Sequence, residues 1–337
     1  MTPLLEVRDL KVSFRTENGL VRAVDGVSFT LEAGHVLGIV GESGSGKSVT
    51  VMSIMQLIRD PNAIFEGEVL YKGRDLMGLS QRQMRGVRGA EIAMIFQDPM
   101  TSLNPVYKVG WQIEEQLHAH EKLARRSARA RAVELLAAVG IPGASRRVDD
   151  YPHQFSGGMR QRVMIAIALA CNPDLLIADE PTTALDVTIQ AQILALIDRL
   201  KVEFGSAVIL ITHDMGVVAQ IAETVAVMYA GQIVEQGGVD AVFGRPQHPY
   251  AWGLLGSIPR LDRPKPGRLP TIRGLPPSQI DLPEGCSFAP RCDHAHAACR
   301  VRPELLPRSA QGHLDRCVLT PEQKAVLRVA DTQAGAA

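Results

Sequence analysis

Apolar and polar residues alternate at the start of the chain. Leu4, Val7, Leu10, Val12 and Phe14 lead to Glu17-Asn18-Gly19, after which Leu20, Val21, Val24, Val27 and Phe29 resume the pattern. Strand, turn and strand in that order predict an antiparallel subdomain ahead of the main sheet. Four later runs, Val36–Val40, 92–96, 175–178 and Ala207–Thr212, are rich in aliphatics on both faces, as strands covered on both faces of a parallel sheet must be. A hairpin of Thr224–Tyr229 and 232–235 around Gly231 follows them. From about residue 99 to 163 the period lengthens: Trp111, Ile113 and Leu117, then Val133, Leu135, Leu136 and Val139, fall at helical spacings, with Gly140 as a stop. Beyond Tyr250 the pattern dissolves. Pro259, Pro264, Pro266, Pro270, Pro276, Pro277 and Pro283 exclude regular helix or central strand and predict an extended linker wrapping the core. The expected fold is α/β: a parallel-sheet core with an N-terminal antiparallel β subdomain, a helical subdomain and a Pro/Cys-rich C-terminal extension. Its expected divisions are residues 1–255, a linker at 256–285 and the extension at 286–337.

Between the first core strand and a helix opening at Lys47 stands Gly41-Glu42-Ser43-Gly44-Ser45-Gly46-Lys47-Ser48, a complete GxxxxGK(S/T) phosphate loop. Its three glycines let the backbone curl so that N–H groups, through Val49, point inward at a nucleotide's phosphates, where the following helix adds its field. Lys47 can reach the β- and γ-phosphates, and the Ser48 hydroxyl can ligate Mg²⁺. A Gly-rich turn without a ligand is the plain alternative. Strand, loop and helix in the required order argue against it. The run at 175–178 ends in Asp179 and Glu180, acids at the C-terminal tip of a buried strand. Asp179 would hold the magnesium shell, and Glu180 would accept a proton from an attacking water.

Phe155-Ser156-Gly157-Gly158-Met159-Arg160-Gln161-Arg162 resembles the signature motif of the ATP-binding cassette ATPases, and that family's other motifs follow its order. Gln97 resembles the Q-loop glutamine, Ala184-Leu185-Asp186 the D-loop and His213 the switch histidine, while Phe14 stands where the family places an adenine-stacking aromatic. The resemblance covers roughly residues 4–250. It implies a P-loop NTPase (RecA-like) core working in head-to-tail pairs. ATP on Lys47 and Ser48 of one cassette would be covered by Ser156, Gly157 and Gly158 of another, with Asp186 at the interface. Gln97 and His213 would sense the γ-phosphate, and Gln97 would join Ser48 and Asp179 around Mg²⁺.

Residues 94–105, Tyr151-Pro152-His153-Gln154, the run Asp179 to Gln192, and His248-Pro249-Tyr250 with the tail behind it resemble the dipeptide and oligopeptide importer branch. Phe155 replaces the signature's usual leucine, Met159 the glutamine common in other cassettes and Ala251 the threonine often found after His-Pro-Tyr; none of these changes removes a phosphate contact. The branch implies a sister cassette as partner, although a second copy is possible, together with two transmembrane permease subunits and, indirectly, an external peptide-binding protein. The expected place is the cytoplasmic side of the cell inner membrane, peripherally. Alternatives are an importer of another solute, such as nickel or glutathione, and a non-transport cassette ATPase acting on DNA or ribosomes. An iron–sulfur sensor using the cassette only as scaffold is a third, opposed by the intact hydrolytic set.

Composition narrows this further. Thirty-six basic and thirty-six acidic residues in 337 balance, so no net field draws the chain to nucleic acid. Arg125, Arg126, Arg129 and Arg131 lack interleaved aromatics and read as a solvated helix face. The longest apolar stretch, 163–171, is about half a spanning helix, and the N-terminus carries no signal-peptide pattern. Cys171 reads as a small core residue. Cys286, Cys292, Cys299 and Cys317 follow the prolines with gaps of five, six and seventeen residues. In a reducing compartment, thiolate ligation is a sharper reading than two disulfides. Zinc favours CxxC pairs, which are absent here, although His294, His296 and His313 could substitute as ligands. Four thiolates without CxxC are compatible with a 4Fe-4S cluster, and some members of the resembled branch carry such a centre on a similar tail. Reduced thiols that only pack are the third possibility.

Overall fold

The computed structural model describes residues 2–98, 102–183, 185–258, 271–307 and 312–334. Ala184 of the D-loop and the linker prolines Pro259, Pro264, Pro266 and Pro270 lie outside these residues. Strands β1 (Leu5–Thr16) and β2 (Gly19–Leu31) form the expected antiparallel pair. The phosphate loop follows β3 (Val36–Val40) and opens helix α1 (Lys47–Ile54). The chain then returns to the first sheet as β4 (Ala63–Tyr71), antiparallel to β1, and β5 (Arg74–Asp75).

The core strands are β3, β6 (Ile92–Ile95), β7 (Leu175–Asp179), β8 (Ala207–Thr212) and β9 (Thr224–Tyr229), parallel in the order β6-β7-β8-β3-β9. Strand β10 (Gln232–Gly238) turns back antiparallel on β9. The continuous apolar runs resolve into two alternating sets. Leu37, Ile39, Leu175, Ile177, Ile209 and Ile211 face a layer containing the antiparallel sheet and α1. Val36, Val40, Leu176, Ala178, Val208 and Leu210 face a layer containing the helices. Successive side chains of a strand point to opposite faces, so a strand with helices on one side and a sheet on the other can spare no polar position.

Helix α2 (Gln81–Val87) precedes β6, and the helical segment contains α3 (Val109–His120), α4 (Arg125–Ala138), α5 (Ala144–Arg147) and α6 (Gly157–Ala168). Gly140, with φ at +78°, ends the run after α4 as its position predicts. Arg125, Arg126 and Arg129 are exposed on α4 and Arg131 is half-buried there; Arg129 pairs with Asp149 and Arg131 with Glu134. Helices α7 (Val187–Phe204), α8 (Met215–Ile221), α9 (Val239–Gly244) and α10 (Pro249–Gly256) complete the cassette.

The extension continues the main sheet. Strands β11 (Leu306–Pro307) and β12 (Leu314–Asp315) pair with each other, and β12 pairs antiparallel with β10. Behind them runs α11 (Pro321–Ala334), whose Lys324 meets Asp315 in a buried ion pair at 2.7 Å. No described helix is long and apolar enough to cross a membrane.

Candidate nucleotide site

Strand register brings the motifs to one edge of the sheet. Val40 lies beside Thr212, Asp179 beside Ile211, and Ile95 beside Ala178. The phosphate loop, Asp179-Glu180, His213 and Gln97 therefore leave the C-terminal ends of four adjacent parallel strands, where ligands of open α/β sheets bind.

The loop's backbone is left-handed at Gly41, Gly44 and Gly46, with φ of 154°, 77° and 101°. A Cβ on Gly41 would sit 2.1 Å from the Met228 carbonyl oxygen and one on Gly46 would sit 2.3 Å from that of Ala23, so both crowding and backbone require glycine. Lys47 is buried, and its Nζ donates to the Gly41 and Glu42 carbonyls at 2.8 and 3.0 Å. An ammonium has three donors, which leaves one for a phosphate oxygen. Burial holds its pKa below the ordinary lysine value, against the pull of Glu180, Asp179 and Glu42. The Ser48 hydroxyl donates to Asp179 Oδ1 at 2.9 Å. Burial raises the Asp179 pKa, the Ser48 bond opposes that rise, and Glu180 adds to it. A hydroxyl oxygen and a buried carboxylate side by side fit the hard-oxygen preference of Mg²⁺. Ser45 Oγ, also buried, has no hydrogen-bond partner among the described residues, while Ser43 is exposed at the loop's mouth and Val49 packs on the antiparallel-sheet side.

Glu180 gathers the remaining polar candidates. Its Oε2 accepts from Gln97 Nε2 at 3.1 Å and from the Thr183 hydroxyl at 2.9 Å, and its Oε1 lies 3.5 Å from His213 Nδ1. Thr183 carried no motif assignment; its place three residues after the acid was the available signal. Phe14 lies on β1 opposite Val21 and Ala63, half-buried against the sheet core.

Ser156 caps α6, accepting from the Met159 N–H at 3.4 Å, and stands exposed with Gly157. A Cβ on Gly158 would come 2.9 Å from Ile189. Phe155 is buried with the Arg147 guanidinium 5.5 Å over its ring, so this departure from the usual leucine serves the core. Asp186 is exposed at the start of α7.

The tail contacts the loop directly. The Glu42 N–H donates to the Tyr250 hydroxyl at 2.8 Å, and Arg291 donates to both Glu42 carboxylate oxygens at 2.6 and 3.0 Å. Gln279 Nε2 donates to the Gly44 carbonyl at 2.6 Å. None of these partners could be read from sequence, because each lies more than 200 residues from the loop.

Beyond Arg291, Cys286, Cys292, Cys299 and Cys317 line one narrow cavity with His248 and Phe288. Burial pushes the Cys292 thiol up to about 12 and Cys317 up to about 11, and raises Cys286. Of the expected alternative donors, His313 is committed to Glu235 at 2.7 Å, His296 Nδ1 lies 3.7 Å from Cys299 Sγ, and His294 packs against Trp252. Among the described residues no group of three or more His, Cys, Asp or Glu side chains is placed to hold a metal ion.

A phosphate loop on β3, paired acids on β7 and a capped signature helix at the surface define an ATPase of the cassette class. A family profile described as ABC transporter matches residues 24–183, and one described as the oligopeptide/dipeptide transporter C-terminal region matches 234–299. The chain is 58% identical over 296 residues to the oligopeptide transport ATP-binding protein OppD of Bacillus subtilis (strain 168), covering 88% of this chain and 83% of that protein. It is 53% identical over 325 residues to the dipeptide transport ATP-binding protein DppD of the same organism, covering 96% of each. A solved dimeric structure of the ATP-binding cassette MJ0796, in a post-hydrolysis state bound to ADP and Pi, superposes with a TM-score of 0.63 at 28% identity, over 70% of this chain and 98% of that one. The chain belongs to the ABC transporter ATP-binding family, in its oligopeptide and dipeptide branch.

Proposed function

We propose that the chain is the ATP-hydrolysing subunit of a dipeptide or oligopeptide importer, seated at the cytoplasmic face of the inner membrane with a second cassette and two permease subunits. The observation that carries the reading is Glu180, held by Gln97, Thr183 and His213 at the sheet edge that bears the Ser48–Asp179 pair. Gln97 and His213 orient the carboxylate, which takes the proton of an attacking water as its oxygen approaches the γ-phosphorus. Lys47 and the loop's N–H groups hold the phosphate oxygens, and Phe14 takes the adenine. Ser48, Asp179 and Gln97 would hold Mg²⁺, which when bound would supply neutralisation of the charge developing on the phosphates. Ser156, Gly157 and Gly158 stand at the surface to close over a partner's nucleotide, beside Asp186. The signature helix's segment passes the motion on to the permeases. Residues 1–255 act as the cassette, 256–285 as the linker and 286–337 as the extension.

In this reading the extension's four thiols, which line one cavity, carry a 4Fe-4S cluster, with a single zinc as the alternative. Such a group would tie four distant points of the extension together. Cys286, Cys292, Cys299 and Cys317 are its ligands in this reading.

Replacing Glu180 with Gln tests the hydrolytic assignment. ATP binding persists while turnover in the assembled transporter falls by about 10²–10⁴, the contribution of a positioned general base. Near-normal turnover would remove Glu180 from this role.

A further inference from the structure

Glu42 occupies the second position of the phosphate loop, yet its carboxylate is bound by the extension. Arg291 grips both oxygens, at 2.6 and 3.0 Å, in the fork geometry that makes arginine–carboxylate pairs strong and directional. The guanidinium has no freedom of its own. Its side chain is 4% exposed, Nε donates to the Arg273 carbonyl at 2.8 Å, and the group lies 5.8 Å over the Tyr229 ring. Glu42's other polar groups are also engaged: its N–H by Tyr250, its carbonyl by Lys47 Nζ and, at 3.2 Å, by the Ser45 N–H. A second tie runs from Gln279 to Gly44, with the Gln279 carbonyl accepting from the Arg22 N–H at 3.0 Å.

A loop with three glycines loses much backbone freedom when it closes on phosphates. Contacts that fix it beforehand return that loss as affinity. We propose that Arg291 is a positioning residue for ATP, holding Glu42 so that the phosphate loop is organised before nucleotide arrives. ATP affinity then depends on a side chain of the cysteine-bearing extension, and by linkage ATP steadies the extension. Simple attachment of the tail is a different role, and the molecule offers a control for it. Arg302 pairs with Asp25 at 2.7 Å, joining extension to core without touching the loop.

The test is ATP titration calorimetry on full-length chains, with steady-state kinetics on the assembled transporter. Arg291→Ala weakens ATP binding about tenfold, within the range typical of coupled sites. Arg291→Lys keeps the charge but loses the fork and falls between. Arg302→Ala, which removes a tie that reaches no phosphate-loop side chain, binds ATP within about twofold of wild type. The Arg291→Ala loss appears in KM more than in kcat, and ATP slows hydrogen exchange across residues 286–300 in wild type but not in this variant. Should Arg291→Ala fail to fold, Glu42→Gln, which leaves the extension's side of the contact intact, must weaken ATP binding by a similar factor. Unchanged affinity in Arg291→Ala or Glu42→Gln, an equal loss in Arg302→Ala, or a loss confined to kcat would overturn the proposal. A wild-type chain that bound no ATP would instead overturn the nucleotide-site assignment on which it rests.

Discussion

Glu180 has a φ of 46°, a left-handed conformation that non-glycine residues rarely adopt. Its N–H donates to the Ile211 carbonyl at 2.9 Å and its carboxylate is held from three sides, so the surroundings impose the strain at a site of chemistry. A second residue with an imposed state is His248. Its Nδ1 accepts from the Tyr250 N–H at 3.1 Å, which places the ring proton on Nε2. Burial, with the Lys324 and Arg316 charges adding to it, lowers its pKa to about 3. An unfolded chain protonates this ring near pH 6.5, roughly, whereas the folded chain stays neutral down to about 3. The unfolded state therefore binds more protons throughout that window. Stability is complete above it and falls as pH drops, by about 1.4 kcal/mol per pH unit from this residue. Denaturant melts at pH 7.5 and 5.5 should show a smaller difference in His248→Gln than in wild type; an equal difference would assign the acid sensitivity elsewhere. The motif residues were legible because phosphate and metal chemistry fix their types and spacing. Thr183, Tyr250 and Arg291 were not, since a hydroxyl or guanidinium has no readable role until the fold supplies its partner.

Among the elements, β1, β2, the parallel strands and the β9–β10 hairpin were legible from their apolar texture, nearly to the residue. Strand β4 was not. Only Val69 and Tyr71 of Ala63–Tyr71 are buried, and Glu66-Gly67-Glu68 is exposed, so no alternation announces it. It exists because β1 offers an unpaired edge and a bulge at Asp9, where φ is 45° and the register shifts. Gly67 fits that bulge with φ at 96°, and a Cβ there would lie 2.5 Å from the Asp9 carbonyl oxygen. Gly67→Ala should lower stability by about 1–3 kcal/mol, the cost of forcing a side chain into such a conformation. Gly34→Ala, also left-handed but with open space around it, should cost less. Equal shifts in the denaturation midpoint would mean that conformation, not crowding, decides both.

At the scale of the molecule, the connections were not legible. The prolines predict a linker, yet nothing in them says that the chain beyond would return to the phosphate loop and add strands to the main sheet. Contacts at such sequence separations depend on the finished core. If the cluster reading holds, full-length protein purified without oxygen should be brown with about four iron per chain, and serine at any of the four cysteines should release the iron. Colourless protein with about one zinc would replace the cluster with zinc, and metal-free protein would return the thiols to packing.

The short ladder of β11 and β12 also bears on how the chain is made. Until residues 306–315 emerge from the ribosome, β10 presents a bare edge next to the buried Ile233 and Val234, and an uncovered apolar edge is a template for pairing with another chain. Pro307, which has no N–H to donate, and the two-residue length of the outer strand β11 make the finished border a poor template. Strands β11 and β12 thus shield β10 from self-association, and a chain that stopped short of them would be prone to precipitate even with its phosphate loop in place.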